Sequence, residues 1–594
     1  MISLHAHSMY SALDGYSTPK EIADRISKIG LPGGFLTDHG TVAGLPEFRK
    51  EMAKQDLFCG YGVEAYQART SRKIQEGFKA GEDTFHLILV AKNLEGYRNL
   101  FRLTDEANRS GFYYKPRVDW ELLEKYHDGI IATSACMASL ICNDIRNDDR
   151  SSLDQMLKLF KDDFFLELHT YDHEDQRAVN HELVSIAQER GIPVVFANDA
   201  HYAFPEQYEI HEAFYAAQMG GVIDEPKGKY ANVPDDPTKY HPPCLYIMDE
   251  AEVRKALDHL PERIVDEALD NSDAIMEMCR FELPETKLHL PKYPTPDPAG
   301  LLIEETEKGL WLRFGEDCPE EVYERAEYEL QTLIEAGLHD YFLIVWDYVK
   351  DALEEGIFVG PGRGSVGGSL VAYALGFSNV DPIKYELQFE RFWNPGRAAG
   401  LPDVDVDFEK GGRPRVLEKL RRKYGENRVM PISNHTMLWP KSAIDKAGMV
   451  LYGKQAPWGL MRRTKQIIET TEDAGKLLSW EETEETIRED ASLWEEYSRL
   501  KDAEPDLFFL AEQFSERLHT YGQHASAVVI ADIDLQDEIP GRLANDKDSE
   551  EGKQMVTQFE MHTIEDLGFV KFDLLRIRNL DTILRAAQLS GEFK

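Results

Sequence analysis

The stretch "LPDVDVDFEK" (residues 401–410) places an aspartate at every second position, with valine and phenylalanine between and beside them. In a β-strand, side chains two positions apart lie on one face, so Asp403, Asp405 and Asp407 would point the same way. Aspartate is depleted in strands, and like charges on one face repel each other. A solvated face usually mixes acids with Lys, Thr and Ser, so the unmixed row indicates that something positive lies above it.

Length and composition indicate a folded protein with several domains. At about one domain per 150 residues, the 594 residues predict three or four, and the 42% hydrophobic content is that of folded protein. No run of 18 or more apolar residues occurs, and the start "MISLHAHSMY" lacks a signal-peptide pattern. We therefore expect a cytoplasmic (cytosolic) protein with no membrane partner. The six cysteines form no Cys-x-x-Cys pair, which argues against a disulfide framework or a thiolate zinc finger.

The charge is strongly acidic but unevenly distributed. The formal net charge is −40, which by itself argues against nucleic-acid binding because phosphate affinity comes mainly from Lys and Arg. However, residues 411–428 and 459–466 are basic islands, whereas residues 481–506 are acid-rich. Basic stripes on an acidic body can steer a polyanion into one groove. For either island considered by itself, a solvated helix face explains the basic residues as well as a polyanion-binding stripe does.

The order of predicted elements divides the chain. Residues 1–281 alternate short apolar strands with amphipathic helices, which predicts a parallel sheet or barrel with functional residues at the carboxyl ends of its strands. The proline-rich segment "LPETKLHLPKYPTPDP" (283–298) is typical of a linker. Helices are predicted to about residue 356 and again over 432–524, and strands return from about residue 525.

Histidines, carboxylates and one thiol cluster at the predicted strand ends of the first region. Each alone would more often be a satisfied core residue than a ligand, but imidazole, carboxylate and thiolate together are ligands for zinc, manganese or iron. So large a set implies more than one ion. The candidate metal ligands are His5, His7, Asp14, His39, Glu64, His86, Cys136, Asp199 and His201.

The order of these nine residues resembles the pattern of the polymerase and histidinol phosphatase (PHP) family. That pattern runs His-x-His and Asp, then Asp-His, Glu, His and Cys, and ends in Asp-x-His, and all its positions are filled here. The resemblance implies a distorted (β/α) barrel with a trinuclear Zn²⁺ or Mn²⁺ site and phosphoester hydrolysis. In replicative polymerases with an intact site, this domain is a 3′–5′ proofreading exonuclease. We interpret His169, His173 and His127, which match nothing in the pattern, as surface residues or as supports of the ligands.

A glycine-rich loop precedes the acidic row. "VGPGRGSVGGSL" (359–370) would expose backbone amides to an anion, and "SLVAYALG" would begin a helix whose N-terminus favours phosphate. The spacing is not that of a Walker loop, and an ordinary turn explains the glycines equally well. Arg391 and Arg397 lie just before the acids, and Lys571 and Asp573 share one face of a later apolar strand. A third carboxylate beside a paired acid strand is what a two-metal site requires.

These segments, "GPGRGSVGGSLVAYALGFSNVDPIKYELQFERFWNP", "LPDVDVDF" and "MVTQFEMHTIEDLGFVKFDLL", resemble the palm of the C-family replicative DNA polymerases. This is the family of the bacterial or phage DNA polymerase III alpha subunit. The resemblance implies that Asp403, Asp405 and Asp573 are catalytic and bind Mg²⁺, with Asp407 in support. It also implies contacts to the incoming triphosphate from Arg363, Gly364, Ser365, Arg391 and Lys571.

We therefore expect an α/β multidomain protein, with a PHP distorted (β/α) barrel followed by a nucleotidyltransferase-type α+β palm and an inserted helical thumb. The predicted domains are the PHP domain (1–281), the first palm segment (282–431), the thumb (432–524), and the second palm segment with the start of the fingers (525–594). The predicted function is template-directed DNA synthesis on primer–template DNA with dNTPs.

The sequence differs from the family pattern in two places and ends before several of the family's domains. "ISNHTMLWPKSAID" replaces the family's Phe-Gly-Thr-Met context, and Arg576 stands where glycine is usual. Family members continue through the fingers, a helix–hairpin–helix region, a clamp-binding segment and an OB-fold. The chain ends at "LSGEFK", so we expect a truncated or split polymerase whose fingers and sliding-clamp binding come from a missing segment or a separate chain.

Two alternative functions remain. One is a PHP phosphoesterase or exonuclease whose palm binds DNA without polymerising, which the intact acid triad disfavours. The other is a non-catalytic replisome scaffold with idle sites, which the nine filled ligand positions disfavour.

Overall fold

The computed structural model describes residues 1–76, 78–79, 83–224, 239–394, 402–471, 477–546 and 552–591. Arg397 and Leu401 lie outside these ranges. The chain forms two compact units, the first of Met1–Leu283 with His435–Tyr521 and the second of Pro284–Asn434 with Gly522–Lys594. Among the described residues, no helix has the length and apolar character that a membrane crossing requires.

The first unit is a mixed α/β barrel-like domain with additional helices. Its strands are β1 (Gly33–Leu36), β2 (Phe58–Ala68), β3 (Thr84–Ala91), β4 (Phe112–Tyr113), β5 (Lys115–Val118), β6 (Ile130–Thr133), β7 (Phe164–His169) and β8 (Val194–Ala197). Its helices are α1 (Pro19–Lys28), α2 (Leu45–Lys54), α3 (Leu94–Gly111), α4 (Trp120–Tyr126), α5 (Leu140–Arg146), α6 (Ser151–Phe160), α7 (Glu174–Arg190), α8 (Tyr208–Gln218), α9 (Glu250–Ala256) and α10 (Glu262–Met278).

The eight strands form one curled sheet. The order is β4-β5-β2-β3-β6-β7-β8, and β1 pairs with β2 in parallel. The N-terminal segment closes the curl, because Ser3 forms a parallel bridge with Gly34 in β1 and Ala6 forms another with Ala200, just after β8. The resulting interior is apolar, with fully buried Phe35, Ile88 and Val195 in one cluster.

The sheet is mixed, whereas the strand–helix alternation favoured a parallel one. Strand β3 pairs antiparallel with both β2 and β6. No helix is found among the described residues between β2 and β3, and a parallel pairing needs a crossover, usually helical. The fold class is otherwise the predicted one, an α/β multidomain protein with a barrel-like first domain.

The segment 435–521 belongs to the first unit. It contains the helices α16 (Pro440–Tyr452), α17 (Trp458–Glu469), α18 (Trp480–Arg488), α19 (Ala491–Ala503) and α20 (Pro505–Phe514). Buried side chains of α16 and α20 share one apolar cluster with Phe214 and Ala217 of α8. Arg517 also donates to Glu21 at 2.8 Å. These helices therefore pack against the barrel domain.

The second unit combines helices with two small sheets. Its helices are α11 (Pro298–Phe314), α12 (Glu320–Glu335), α13 (His339–Glu354), α14 (Leu370–Leu375), α15 (Gly412–Tyr424), α21 (Met561–Asp566) and α22 (Arg578–Ser590). Its strands are β9 (Asp405–Phe408), β10 (Val429–Met437), β11 (Leu518–Ile530), β12 (Gly541–Asn545), β13 (Lys553–Thr557) and β14 (Lys571–Arg576), of which β10 and β11 also have residues in the first unit.

The main sheet of the second unit has the order β10-β11-β14-β9, and β12 pairs with β13. One face of this sheet, with Val406, Phe408 and Phe572, packs on helix α13. These side chains share a buried cluster with Phe342 and Val345 of that helix. The period of two along β9 and β14 then sends the intervening carboxylates to the opposite face.

Candidate functional site

All nine residues predicted as metal ligands come together at one end of the barrel sheet. His5 and His7 lie on the closing N-terminal segment, and His39 follows β1. Glu64 and His86 lie on the antiparallel neighbours β2 and β3. The remaining residues lie in loops: Asp14 after the N-terminal segment, Cys136 after β6, and Asp199 and His201 after β8.

The ligand atoms of this cluster lie within hydrogen-bond distance of one another or slightly farther. Asp199 Oδ1 is 3.2 Å from Nε2 of both His5 and His7, whose Nε2 atoms are 3.1 Å apart. Glu64 Oε1 is 2.9 Å from His86 Nδ1, which is 3.5 Å from Cys136 Sγ. Three further contacts complete the cluster: His39 Nε2 to Asp14 Oδ2 (3.3 Å), His7 stacked on His39 (4.2 Å between ring centroids), and His7 beside His201 (4.7 Å).

The donor set fits divalent metal ions. Glu64 is 1% exposed, and neither of its carboxylate oxygens has a hydrogen-bond partner among the described residues, although imidazole nitrogens approach both. Asp199 Oδ1 is likewise buried without a hydrogen bond in the described part of the chain. Buried carboxylates are normally hydrogen-bonded or coordinated, so convergent oxygens and nitrogens of this kind are suited to cations.

The electrostatics also favour a cation. Burial, with Asp199 and Glu64 nearby, raises the pKa of the Cys136 thiol well above its usual value. Burial alone would raise the pKa of Glu64, but His86 and His39 outweigh it and hold that pKa well below the usual range. The carboxylate is therefore ionised, and the thiol would lose its proton on coordination.

Three loops of this site contain strained backbone. Leu13, Ala135 and Asp199 have positive φ values of 132°, 51° and 51°. Such conformations cost of order 1–3 kcal/mol in a residue other than glycine and concentrate at functional sites. Each of the three is a predicted ligand or the residue immediately before one, so the strained positions coincide with the predicted ligands of these loops.

Glu167 holds the predicted ligand His5 in place, although no sequence pattern singled it out. Glu167, on β7, is fully buried, with Oε2 3.1 Å from His5 Nδ1 and 2.9 Å from His169 Nε2. His169 is only 4% exposed, so it supports this carboxylate and is not a surface residue. A carboxylate at the end of the otherwise apolar "FFLELH" strand was the available signal. His173 and His127, at 28% and 31% side-chain exposure, lie nearer the surface.

In the second unit, two of the three predicted catalytic aspartates are neighbours across strands. Strand β9 pairs with β14 in parallel, with Asp405 opposite Asp573. Strand β9 begins at Asp405, so Asp403 lies just before it rather than within a longer strand. Lys571 Nζ lies 3.2 Å from the Asp403 carboxylate and 3.1 Å from Asp573 Oδ2, which brings all three acids to one place.

Positive side chains lie against these aspartates, as the row of acids without intervening basic residues in the sequence predicted. Arg363 Nη1 is 3.5 Å from Asp407 Oδ1, and Arg363 Nε is 3.7 Å from Asp405 Oδ2. Burial, reinforced by Asp573, raises the pKa of Asp405. Burial opposes protonation of Lys571, but Asp573 and Asp403 outweigh it and raise its pKa. Ser526 Oγ donates to Asp573 Oδ1 at 2.9 Å and fixes that carboxylate.

The glycine-rich loop borders an open cavity of about 570 Å³ next to the acids. Its lining includes the predicted phosphate contacts Gly364, Ser365 and Arg391. Gly364 has φ +67°, and a Cβ there would lie 3.4 Å from Asp405 Oδ2, so glycine suits both the turn and the close approach. The prediction that the N-terminus of the helix after this loop binds phosphate is wrong. Helix α14 has only six residues, and Glu329 and Ser369 already accept from its first amides.

The basic islands are largely paired within the protein. Arg415 and Lys419 contact Glu355, and Lys423 contacts Asp347. Arg463 pairs with Glu496, and Lys465 pairs with Asp445. The interpretation of these segments as stripes available to a polyanion is therefore weakened, because the neighbouring acids already satisfy much of their charge.

The two units define a class of protein: a multidomain α/β protein with a histidine-rich cluster of potential metal ligands in one domain and a carboxylate cluster beside a glycine-rich loop in the other. Residues 3–171 match the family model of the PHP domain. Residues 300–576 match that of the bacterial DNA polymerase III alpha NTPase domain.

Curated relatives match almost the whole chain. The DNA polymerase III subunit alpha of Borreliella burgdorferi is 34% identical over 99% of this chain and 49% of its own length. Those of Treponema pallidum and Aquifex aeolicus are each 32% identical, over 99% and 100% of this chain and 48% and 52% of their own lengths. The chain belongs to the DNA polymerase III alpha-subunit family, and it spans about half the length of these relatives.

Proposed function

We propose that the second unit is the palm of a DNA-directed DNA polymerase that acts in replication, with primer–template DNA and dNTPs as substrates. The observation that carries this proposal is the register of Asp405 with Asp573, with Asp403 linked to both strands through Lys571. The family matches support the same function.

Each side chain of the palm then has a role. Asp403, Asp405 and Asp573 would hold Mg²⁺, with Asp407 holding Arg363 in place. Bound divalent ions supply activation of the primer 3′-hydroxyl and stabilisation of the pyrophosphate leaving group. Arg391, Ser365 and the amides around Gly364 would receive the triphosphate in the cavity, where Lys571 and Arg363 offset its charge.

We further propose that the PHP domain is a metal-dependent 3′–5′ exonuclease that binds Zn²⁺ or Mn²⁺ through the nine residues. Support comes from the convergence of those residues and from the buried, unbonded oxygens of Glu64 within the described chain. A negatively charged phosphodiester would enter beside a cluster whose bound cations offset the carboxylates. Helices α16–α20, which lie in the segment predicted to be the thumb, would contact duplex DNA.

The test is a labelled primer–template with a 3′ mismatch, incubated with Mg²⁺ or Mn²⁺, with and without dNTPs. Asp403→Asn with Asp405→Asn should abolish nucleotide addition and spare primer shortening, whereas His5→Ala with His7→Ala should do the reverse. Asp566→Asn and His181→Ala, both at exposed positions, are the matched controls.

Each outcome of this test has a clear meaning. Loss of both activities in either double variant would contradict the assignment of nucleotide addition to the palm and of primer shortening to the PHP domain. Absence of both from the unmodified chain would favour the scaffold alternative. Shortening without extension would agree with the prediction that a further segment or chain supplies the fingers and sliding-clamp binding.

A further inference from the structure

Three residues outside the nine ligands form a second cluster of metal-binding side chains. His211 and Glu212 are adjacent on α8, and His241 lies on the segment that follows it in the fold. One potential ligand atom from each lies within 4.8 Å of the other two. The two imidazole rings are 4.7 Å apart between centroids, and His211 and Glu212 are 0% and 3% exposed.

The hydrogen bonding of His211 leaves one ring nitrogen as a buried lone pair. Its Nε2 lies 2.7 Å from the backbone oxygen of Asp14, and a carbonyl can only accept, so Nε2 carries the proton. Nδ1 is then unprotonated, and it has no hydrogen-bond partner among the described residues. An imidazole anchored through one N–H to a carbonyl, with the other nitrogen open, is the usual arrangement of a metal-ligating histidine.

Glu212 is in direct contact with the backbone and the ring of His241. The carboxylate oxygen Oε1 accepts from the backbone N–H of His241 at 2.9 Å and lies 2.7 Å from its Nδ1, while Oε2 accepts from Tyr240 N. A cation that replaces the proton shared by Oε1 and Nδ1 would be bound by these two atoms together. A carboxylate has about four acceptor positions, so Glu212 can bind a cation while keeping its two contacts to backbone N–H groups.

We propose that His211, Glu212 and His241 form an additional Zn²⁺-binding site in the first unit. Two imidazoles and one carboxylate are a set that zinc accepts, with the remaining position open to water or another oxygen ligand. The site is distinct from the nine-residue centre, because His211 reaches Asp14 only through the backbone carbonyl and its ring lies 6.1 Å from that of His201. Zinc bound there joins α8 to the 240–241 segment and steadies the loop that positions Asp14.

The first experiment is zinc stoichiometry on the full chain. Protein stripped with chelator is loaded with Zn²⁺, desalted and measured for metal per chain by mass spectrometry. His241→Ala and Glu212→Gln should each lose one equivalent relative to the unmodified chain, and His181→Ala should lose none. His5→Ala with His7→Ala should lose zinc from the nine-residue centre, and adding His241→Ala to that variant should remove one equivalent more. Circular dichroism confirms that each variant is folded.

A second measurement does not depend on any variant. A crystal of the zinc-loaded unmodified chain, measured at the zinc absorption edge, should show an anomalous peak among the three side chains in addition to any at the nine-residue centre. Absence of that peak overturns the proposal, whatever the stoichiometry. Because neither readout is an activity, failure of the proposed polymerase or exonuclease function would leave this result unaffected.

Discussion

At the scale of single residues, both candidate sites depend on side chains that hold other side chains in position. Glu167 fixes the ring of His5, and Ser526 fixes Asp573. Neither belongs to the patterns that identify the sites, and each is buried. Such supports are expected wherever ligand geometry must be set before a cation binds.

Replacing Glu167 with Gln should weaken metal binding at the PHP centre about 10- to 100-fold. The amide loses the negative charge that orients His5 and increases its basicity as a ligand. Competition titration of Zn²⁺ or Mn²⁺ against a chromogenic chelator measures the effect. Glu206→Gln, at an exposed position, is the control. Equal affinities for the two variants would show that Glu167 has no positioning role.

Replacing Gly364 with Ala should destabilise the second unit by about 1–2 kcal/mol, because its φ of +67° is unfavourable for a residue with a Cβ. Urea unfolding measures the change. Gly367→Ala in the same loop is the control, since its Cβ would meet only Val380 at an ordinary 3.8 Å and no positive φ is involved. A smaller effect at position 364 than at position 367 would contradict the assignment of strain.

At the scale of elements, helix α12 holds the glycine-rich loop in place. Glu329, which is 0% exposed, accepts from Ser369 Oγ at 2.8 Å and from Val371 N at 3.1 Å. Arg325 donates to Glu329 at 2.7 Å and to the Gly368 carbonyl at 3.0 Å. The loop is therefore fixed from behind, which leaves Gly364 and Ser365 facing the cavity.

Replacing Glu329 with Ala should cost about 3 kcal/mol of stability, because it leaves Arg325 and the amide of Val371 without their buried partner. Urea unfolding followed by circular dichroism gives the value. The exposed Glu327 on the same helix is the matched control, and Glu327→Ala should change stability by less than about 0.5 kcal/mol. Similar values for the two variants would show that the buried network does not hold the loop.

At the scale of the whole molecule, metal binding should stabilise the folded state. The nine-residue centre converges only in the folded chain, so cations bind the folded state selectively. At a free metal concentration of about 100 times the dissociation constant, this contributes roughly 2.7 kcal/mol. Adding EDTA should therefore lower the unfolding midpoint in calorimetry. The same addition to the His5→Ala, His7→Ala variant should have a much smaller effect, and an equal shift would place the stabilising ions elsewhere.

The sequence by itself determined the chemistry of the sites and the local faces of their elements. The spacing of His5 and His7, and of Asp405 and Asp407, fixes which side chains share a face, because the period of a strand is a local property of the backbone. Family resemblance added the expected residues on distant segments, and the alternation of strands and helices predicted the α/β class of the fold.

Only the tertiary structure decided which distant segments meet. The register of Asp405 with Asp573 and the antiparallel pairing of β3 depend on strand pairing between residues far apart in the chain. The contacts of Glu167 and Glu329 with the residues they position depend on packing of the same kind. The same holds for His211, Glu212 and His241, whose spacing forms no local pattern. Local periodicity carries no information about such pairings, because they are selected by the burial of apolar surface in the complete fold.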